Sequence, residues 1–148
     1  MIREDISNLL KECTAKEVVL ELSTGYGKSK MALEYINKYS PKKILIVIPR
    51  LVLIDNWKSE FRKWGFEELL NYTTFTTYKS LSKHISYQWD VVCFDEAHHL
   101  SDRCKEIDRL LNSKYRLFLS ATLKREIKNW VKFSYPKVEF ITVSLKEA

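Results

Sequence analysis

The sequence predicts a domain of the α/β class with a mostly parallel central sheet. Short apolar segments alternate along the chain with segments of helical periodicity, as in folds whose parallel strands are connected by helices. The apolar segments are near-continuous runs of Ile, Val and Leu, such as 44–48, which is typical of strands covered on both faces. A length of 148 residues fits one such domain. Ligands are therefore expected beyond the carboxyl ends of the strands.

The order of the elements follows from these patterns. We expect strands over residues 18–22, 44–48, 71–75, 91–95, 116–120 and 139–143. We expect helices over residues 4–13, 28–38, 51–63, 78–84, 104–111 and 125–133. In and just after the third helix, apolar residues recur at spacings of three or four, which indicates a face that packs on the core rather than one that stacks on bases. These residues are Leu51, Ile54, Trp57, Phe61 and Trp64.

The loop after the first strand has the composition of a phosphate-binding loop. It ends in Gly-Lys-Ser, as in the pattern G-x-x-x-x-G-K-[ST], although Leu22 stands at the first glycine position. Glycines let backbone N–H groups turn towards phosphate oxygens, and the first turn of the next helix adds its unpaired donors and positive dipole end. The residues expected to bind the nucleotide are Ser23, Thr24, Gly25, Tyr26, Gly27, Lys28 and Ser29.

An acidic pair, Asp95 and Glu96, follows the apolar run 91–94. In NTPases with a phosphate loop of this kind, one aspartate holds the Mg²⁺ between the β- and γ-phosphates, and a neighbouring residue orients the attacking water. Asp95 and Glu96 suit these two roles. Each motif alone could be an ordinary turn or the start of a solvated loop, whereas the two together predict a nucleotide site.

Several short segments give the chain a family resemblance. Residues 95–98 spell the DEAH box, 120–122 spell the SAT motif, and 24–29 fit the Thr-Gly-x-Gly-Lys core of the same family. Residues 46–50 resemble motif Ia, and 76–81 resemble the segment around motif Ib. The chain thus resembles the N-terminal RecA-like lobe of a superfamily 2 DEAH-box helicase or translocase. The resemblance implies a three-layer RecA-like P-loop NTPase fold with ATP and Mg²⁺ as ligands.

The resemblance also implies roles for individual residues. The implied catalytic residues are Lys28, Asp95 and Glu96. The residues implied to hold Mg²⁺, directly or through water, are Ser29 and Asp95. The residues implied to couple the nucleotide state to a second lobe are His98, Ser120 and Thr122. The residues implied to bind the backbone of a nucleic acid are Arg50, Thr76, Thr77 and Tyr78.

The chain departs from the family pattern in two ways. Residues 1–16 contain no glutamine of the kind that reads adenine in many relatives, so adenine selectivity has no residue to support it. Nothing after Thr122 resembles motifs IV, V and VI, which lie on a second RecA-like lobe and include the arginine finger. We therefore expect residues 1–148 to form a single lobe of a longer two-lobe protein, with the second lobe supplied in cis or in trans. An isolated lobe is expected to hydrolyse ATP weakly or not at all.

The charge of the chain favours a nucleic-acid partner. The formal net charge is +6 and the sequence pI is about 9.2, which suits a polyanion. DNA is expected rather than RNA, although charge alone does not distinguish them. Most single lysines are expected to solubilise the surface, with Lys28 as the exception.

Cysteine usage and hydropathy indicate a cytoplasmic protein without a membrane partner. Cys13, Cys93 and Cys104 lack the spacing of zinc ligands and are expected to be reduced thiols, with Cys93 packed in its strand, so no structural metal is expected. The longest apolar region, 44–54, is interrupted and too short to cross a bilayer. Association with a nucleoid, or residence in a virus-infected cell, is consistent with this expectation.

Two other classes of function remain open at this stage. A stand-alone lobe could bind nucleotide or nucleic acid without unwinding activity. A kinase could share the phosphate loop, but it would need an acceptor site and a mobile lid. No feature of the sequence indicates an acceptor site or a mobile lid, and the DEAH and SAT spellings count against a kinase.

Overall fold

The computed structural model describes residues 3–23 and 27–143, and it forms an α/β fold with a central sheet. The strands are β1 (Glu17–Leu22), β2 (Ile44–Ile48), β3 (Thr73–Thr77), β4 (Gln88–Phe94), β5 (Asn112–Ser120) and β6 (Glu139–Val143). The α-helices are α1 (Arg3–Glu12), α2 (Lys28–Lys38), α3 (Leu53–Lys63), α4 (Asp102–Leu110) and α5 (Arg125–Ser134). Short 3₁₀ helices lie at Glu67–Tyr72, Tyr78–His84 and Ala97–His99.

The sheet has six strands in the order β3-β2-β4-β5-β1-β6, and all its pairs are parallel. The fold class predicted from the sequence is therefore confirmed. Because the strands are parallel, their carboxyl ends lie at one edge of the sheet, and the loops after β1, β4 and β5 come together there. This edge carries the predicted site.

Alternate residues of each central strand face opposite layers of helices. In β2, Ile44, Ile46 and Ile48 pack in a core with α1, α2 and α3, whereas Leu45 and Val47 pack in a second core with α4 and α5. All five side chains are fully buried. A strand with a core on both faces has few positions for a polar side chain, which is why the sequence of β2 is a continuous apolar run.

Several predicted segments differ from the structure in position or type. Strands β4 and β5 begin at Gln88 and Asn112 rather than at 91 and 116. Strand β3 spans Thr73–Thr77 rather than 71–75, because the 3₁₀ helix Glu67–Tyr72 occupies the residues before it. The hydroxyl of Thr73 donates to the carbonyl oxygen of Leu69 over 2.7 Å at the end of that helix. The segment predicted as a helix over 78–84 is a 3₁₀ helix.

The apolar stripe of α3 is buried except at its first predicted member. Trp57 and Phe61 are buried, and Ile54 and Trp64 pack against the same core with part of their surface exposed. Leu51 is 65% exposed, so its assignment to the core face is wrong. The reason is that α3 begins at Leu53, which leaves Leu51 in the preceding turn.

The packing of the cysteines agrees with the expectation from the sequence. Cys93 is fully buried in β4, and Cys13, Cys93 and Cys104 are free thiols. None of the helices in residues 3–23 and 27–143 is long and apolar enough to cross a membrane.

Candidate functional site

The candidate site lies where the ends of β1, β4 and β5 meet. Strand β5 lies between the other two, with Glu21 of β1 opposite Ser120 and Phe94 of β4 opposite Phe118. The phosphate loop follows β1, and the acidic pair follows β4. Of the predicted phosphate-binding residues, Thr24, Gly25 and Tyr26 lie outside the described residues. The structure places Ser23, Gly27, Lys28 and Ser29 at this edge.

Gly27 begins the helix that follows the loop. It lies immediately before α2 with φ 70° and ψ 52°, a left-handed conformation that glycine adopts without steric cost. Its carbonyl oxygen accepts the first helical hydrogen bond, from the N–H of Met31 over 3.0 Å. The first turn of α2 carries no acidic side chain. The positive end of the helix dipole is therefore not neutralised by its own first turn.

The key residues of the two motifs contact each other. Lys28 Nζ lies 3.6 Å from Asp95 Oδ1, and the two side chains are 26% and 11% exposed. The charges come from loops after β1 and β4, which are not neighbours in the sheet. The fold thus places a cation and a carboxylate together at the predicted phosphate and metal positions.

Asp95 is held by hydrogen bonds at its backbone N–H, at its backbone carbonyl oxygen and at one side-chain oxygen. Its N–H donates to Val47 O over 2.8 Å, and the Tyr78 hydroxyl donates to its carbonyl oxygen over 2.6 Å. Burial raises the pKa of the Tyr78 hydroxyl, which therefore keeps its proton. The indole N–H of Trp57 donates to Asp95 Oδ2 over 2.9 Å. Asp95 Oδ1 is buried and accepts no hydrogen bond from the part of the chain that the structure describes.

Glu96 has a strained backbone. Its φ of 48° and ψ of 59° lie in the left-handed region, which costs energy for a residue with a Cβ. Its side chain is 41% exposed, and Glu96 Oε2 lies 4.0 Å from His99 Nε2. The turn directs Glu96 out of the sheet edge, whereas Asp95 is buried beside it.

His98 contacts the segment predicted as the SAT motif. His98 Nδ1 lies 3.2 Å from Ser120 Oγ, and the Ser120 hydroxyl donates to Thr122 O over 3.0 Å. Because that hydroxyl proton is used, His98 Nδ1 is the donor to Ser120 Oγ. The pKa of His98 is lowered, first by partial desolvation of the ring and then by the nearby charges of His99 and Lys28, which favours the neutral ring.

His99 completes a small group of metal-ligating side chains. One ligand atom from each of Glu96, His98 and His99 lies within 4.8 Å of the others. Both histidines are exposed, and Glu96 is half-buried. The absence of a structural metal therefore stays an expectation from the sequence.

Glu21 belongs to the site region, although the motifs did not identify it. The side chain is buried at the end of β1, and its Oε2 accepts from the N–H of Leu123 over 2.5 Å. Its Oε1 lies 3.0 Å from Lys128 Nζ and 3.4 Å from the Thr142 hydroxyl, which donates to it. Glu21 therefore connects the strand before the phosphate loop to the residue after the SAT motif. The sequence signal was a charged residue within an otherwise apolar strand.

The predicted nucleic-acid residues lie near the carboxyl ends of β2 and β3 but differ in exposure. Arg50 is exposed and Thr77 is half-buried. Thr76 and Tyr78 are buried, with 4% and 8% of their surfaces exposed. The assignment of Thr76 and Tyr78 to a nucleic-acid interface stays a prediction, and their burial leaves little side-chain surface for such a contact. The Tyr78 hydroxyl instead donates a hydrogen bond to the backbone carbonyl oxygen of Asp95.

A cavity of about 470 Å³ opens beside Asp95. One wall carries Lys28, Ser29 and Asp95, and the opposite wall is formed by α3, including Asn56 and Trp57. The cavity therefore joins the start of α2 to the face of α3 that supports the carboxylate.

The fold is similar to that of several solved helicase and ATPase structures. The UvsW helicase from bacteriophage T4 has a TM-score of 0.75 at 17% identity, covering 95% of this chain and 58% of that one. A hypothetical ATP-dependent RNA helicase from Sulfolobus tokodaii has a TM-score of 0.71 at 23% identity, covering 95% and 51%. The Sulfolobus solfataricus SWI2/SNF2 ATPase core in complex with dsDNA has a TM-score of 0.65 at 16% identity, covering 95% and 42%.

These likenesses identify the fold as that of a RecA-like helicase domain. The chain spans about half the length of these structures. No functionally curated protein is significantly similar to it. The family model described as "Type III restriction enzyme, res subunit" matches residues 2–125. The chain therefore belongs to this family, and it is a helicase- or ATPase-like lobe of the superfamily 2 type.

Proposed function

We propose that this chain is the ATP-binding lobe of a nucleic-acid-dependent ATPase, a helicase or translocase of the DEAH-box type. Residues 1–148 would form one RecA-like lobe of a longer two-lobe protein. The observation that carries the proposal is the 3.6 Å approach of Lys28 Nζ to Asp95 Oδ1. A lysine at the start of the helix after one strand and an aspartate at the end of another strand are the pair that phosphoryl transfer from Mg-ATP requires.

The start of α2 suits the phosphates of ATP. The first turn supplies unpaired backbone N–H groups and the positive end of the helix dipole. Lys28 adds a charge that is 26% exposed and can bind the outer phosphates without leaving the neighbourhood of Asp95. Ser23, Gly27 and the undescribed residues 24–26 complete the proposed phosphate loop.

The donor set also fits Mg²⁺. A buried carboxylate oxygen without a hydrogen-bond donor, such as Asp95 Oδ1, is suited to a cation, and the Ser29 hydroxyl is a second oxygen ligand. Mg²⁺, when bound, would neutralise charge on the β- and γ-phosphates. Glu96 would accept a hydrogen bond from the attacking water and orient it, which its exposed position allows. Lys28, Asp95 and Glu96 are the proposed catalytic residues.

We assign the coupling role to the hydrogen bonds among His98, Ser120 and Thr122. They join the loop after β4 to the loop after β5. Movement of the Asp95 and Glu96 turn would therefore reach the Ser120 turn directly. A second lobe docked on this edge, in cis or in trans, would receive that movement and supply the missing arginine.

DNA is the proposed nucleic acid. The net charge of +6 suits a polyanion, and the exposed Arg50 and half-buried Thr77 lie at neighbouring strand ends. Support for DNA comes from the name of the family and from the similar ATPase core that was solved with dsDNA. The similar RNA helicase from Sulfolobus tokodaii makes RNA the alternative that the binding test must include.

The test is a titration of the 148-residue chain with a fluorescent ATP analogue, followed by steady-state ATP hydrolysis with and without DNA or RNA. We expect Lys28→Ala to lose nucleotide binding and Glu96→Gln to retain it. Lys30→Ala is the matched control, because Lys30 lies in the same turn but pairs with Glu34 at 4.0 Å. Hydrolysis by the wild-type chain should be slower by about 10³ to 10⁵ than that of NTPases with their arginine in place.

Retention of ATP affinity by Lys28→Ala would refute the phosphate assignment. Turnover by wild type without this loss of about 10³ to 10⁵ would mean that one lobe or its dimer holds a complete site. Nucleic-acid affinity without any nucleotide binding would favour the alternative, a stand-alone binding module without unwinding activity.

A further inference from the structure

Trp57 contacts Asp95, the proposed Mg²⁺ ligand, although the two residues lie on different elements of the fold. It lies in α3, which follows β2, whereas Asp95 follows β4. The side chain is 4% exposed, and its ring packs edge-to-face on Phe61 with 6.2 Å between centroids. The polar edge of the indole points the other way and donates to Asp95 Oδ2 over 2.9 Å. Trp57 therefore places its ring in the core and its single donor on the carboxylate.

The indole restrains the one part of Asp95 that the backbone leaves free. The backbone N–H and carbonyl oxygen of Asp95 are fixed by Val47 and Tyr78. Rotation of the carboxylate remains, and it would exchange Oδ1 and Oδ2. With the indole on Oδ2, Oδ1 is the oxygen left without a hydrogen bond among the described residues, and it faces Lys28 Nζ at 3.6 Å.

The surroundings leave space for an ion on the free side. The cavity of about 470 Å³ beside Asp95 is lined by Lys28, Ser29 and residues of α3. Mg²⁺ keeps several of its waters when it binds to a protein, so it needs a space of this kind rather than a closed cage. The indole closes the other side of the carboxylate and separates it from the core.

We propose that Trp57 is a positioning residue for Mg²⁺ binding, because its indole N–H holds Asp95 Oδ2 and leaves Oδ1 as the ligand oxygen. This inference rests on the proposed function. Groups that hydrogen-bond to a metal ligand orient it, and their loss typically lowers metal affinity by about 10- to 100-fold. Trp57 acts through Asp95 and has no contact with substrate in the proposed mechanism.

Trp64, the residue that follows α3, carries an indole that donates to a different carboxylate. Its N–H donates to Glu60 Oε2 over 2.8 Å, one turn back along α3. The contact is local to the helix and reaches neither motif. Trp64→Phe therefore removes an indole–carboxylate hydrogen bond of similar length from the same wall of the cavity, which Glu60 also lines, but leaves Asp95 and its indole donor in place, and it is the matched control.

The experiment measures the affinity of the 148-residue chain for a fluorescent ATP analogue in excess Mg²⁺ and again in EDTA. The readout is the ratio of the two affinities, since a loosened fold would lower both values together. We expect Trp57→Phe to reduce the ratio by about tenfold, with the affinity in EDTA little changed. Trp64→Phe should leave the ratio at the wild-type value. A second variant carries benzothienylalanine at position 57, which keeps the shape of the ring and replaces N–H with sulfur.

The outcomes separate this inference from the proposed function. An unchanged ratio in either position-57 variant, with nucleotide binding lost in Lys28→Ala, would overturn the role of Trp57 and leave the function standing. Binding retained in Lys28→Ala would overturn the function and the inference with it. A reduced ratio in the benzothienylalanine variant supports the inference even if Trp57→Phe fails to fold.

Discussion

Glu96 and Ser40 share an unusual backbone conformation but differ in position. Among the described residues, they are the non-glycine residues with positive φ, at 48° and 46°. Glu96 lies at the proposed catalytic edge, whereas Ser40 lies after α2, before β2 begins. Strain of this kind persists where the surrounding structure enforces it, and at a functional position it can hold a side chain where chemistry needs it.

We predict that Glu96→Gly stabilises the fold and removes ATP hydrolysis. Glycine relieves the left-handed strain but has a more flexible unfolded chain, so the net gain is about 0.5–1 kcal/mol. Urea unfolding measures the stability, and the slow hydrolysis expected of the isolated lobe, compared between wild type and variant, measures the activity.

Ser40→Gly is the control for this prediction. It should give a similar stabilisation with unchanged nucleotide binding, because the strain is the same and the position is remote. A loss of stability in Glu96→Gly would show that the side chain of Glu96 contributes to folding rather than to chemistry.

Sequence reasoning could identify the site residues that belong to short sequence motifs. Lys28 and Asp95 belong to short motifs whose spacing reflects the geometry of the loop itself. Trp57 and Glu21 have no such motif, because their partners are supplied by other elements after packing. Tyr78 was assigned to nucleic acid from its segment, but its hydroxyl reaches the carbonyl oxygen of Asp95, which only the packed structure can show.

At the scale of elements, Glu21 joins three pieces of secondary structure at one carboxylate. It accepts from the Leu123 N–H after β5, from Thr142 in β6, and pairs with Lys128 in α5. Its own strand leads into the phosphate loop. The carboxylate therefore fixes where the SAT turn lies relative to β1.

We predict that Glu21→Ala lowers the free energy of unfolding by about 1–3 kcal/mol, because it leaves the buried N–H of Leu123 without its partner. Lys128→Ala should cost less than about 1 kcal/mol, since the lysine is 37% exposed and its ion pair is screened by water. Both values come from urea unfolding. Equal losses in the two variants would mean that the ion pair, and not the hydrogen bond to Leu123, carries the stabilisation.

Element boundaries were predicted best where both faces of a strand are buried. Segment 44–48 was placed correctly because its apolar run has no polar interruption. Strand β3 is Thr-rich and lies at the edge of the sheet, so its ends have no sharp change in hydropathy. Its start is set by the preceding 3₁₀ helix, which depends on how Leu69 packs against the core.

At the scale of the molecule, the charges that would meet nucleic acid lie at one edge of the sheet. Arg50 is exposed beyond β2, next to the end of β3. Arg109 is also exposed, but it lies near the end of α4, before β5 begins, and therefore at the opposite edge. The two arginines form a matched pair for testing which edge binds.

We predict that Arg50→Ala weakens the binding of single- and double-stranded DNA and reduces the slope of log affinity against log salt by about 1, because one phosphate contact is lost. Arg109→Ala should leave the slope unchanged. Filter binding across a salt series measures both, and parallel series with RNA test the preference for DNA. Equal slopes for wild type and Arg50→Ala would remove Arg50 from the proposed interface.

The order of strands in the sheet has a consequence for how the protein is made. Strand β1 is synthesised before the other strands of the sheet, yet its two neighbours are β5 and β6, which are synthesised after β2, β3 and β4. The apolar residues of β1 therefore have no sheet partners until β5 and β6 are synthesised, whereas β2, β3 and β4 can already pair with one another. Contacts this distant along the chain form slowly, and unpaired apolar strands are where aggregation begins. The capacity to bind nucleotide should accordingly appear only after β5 and β6 have been synthesised.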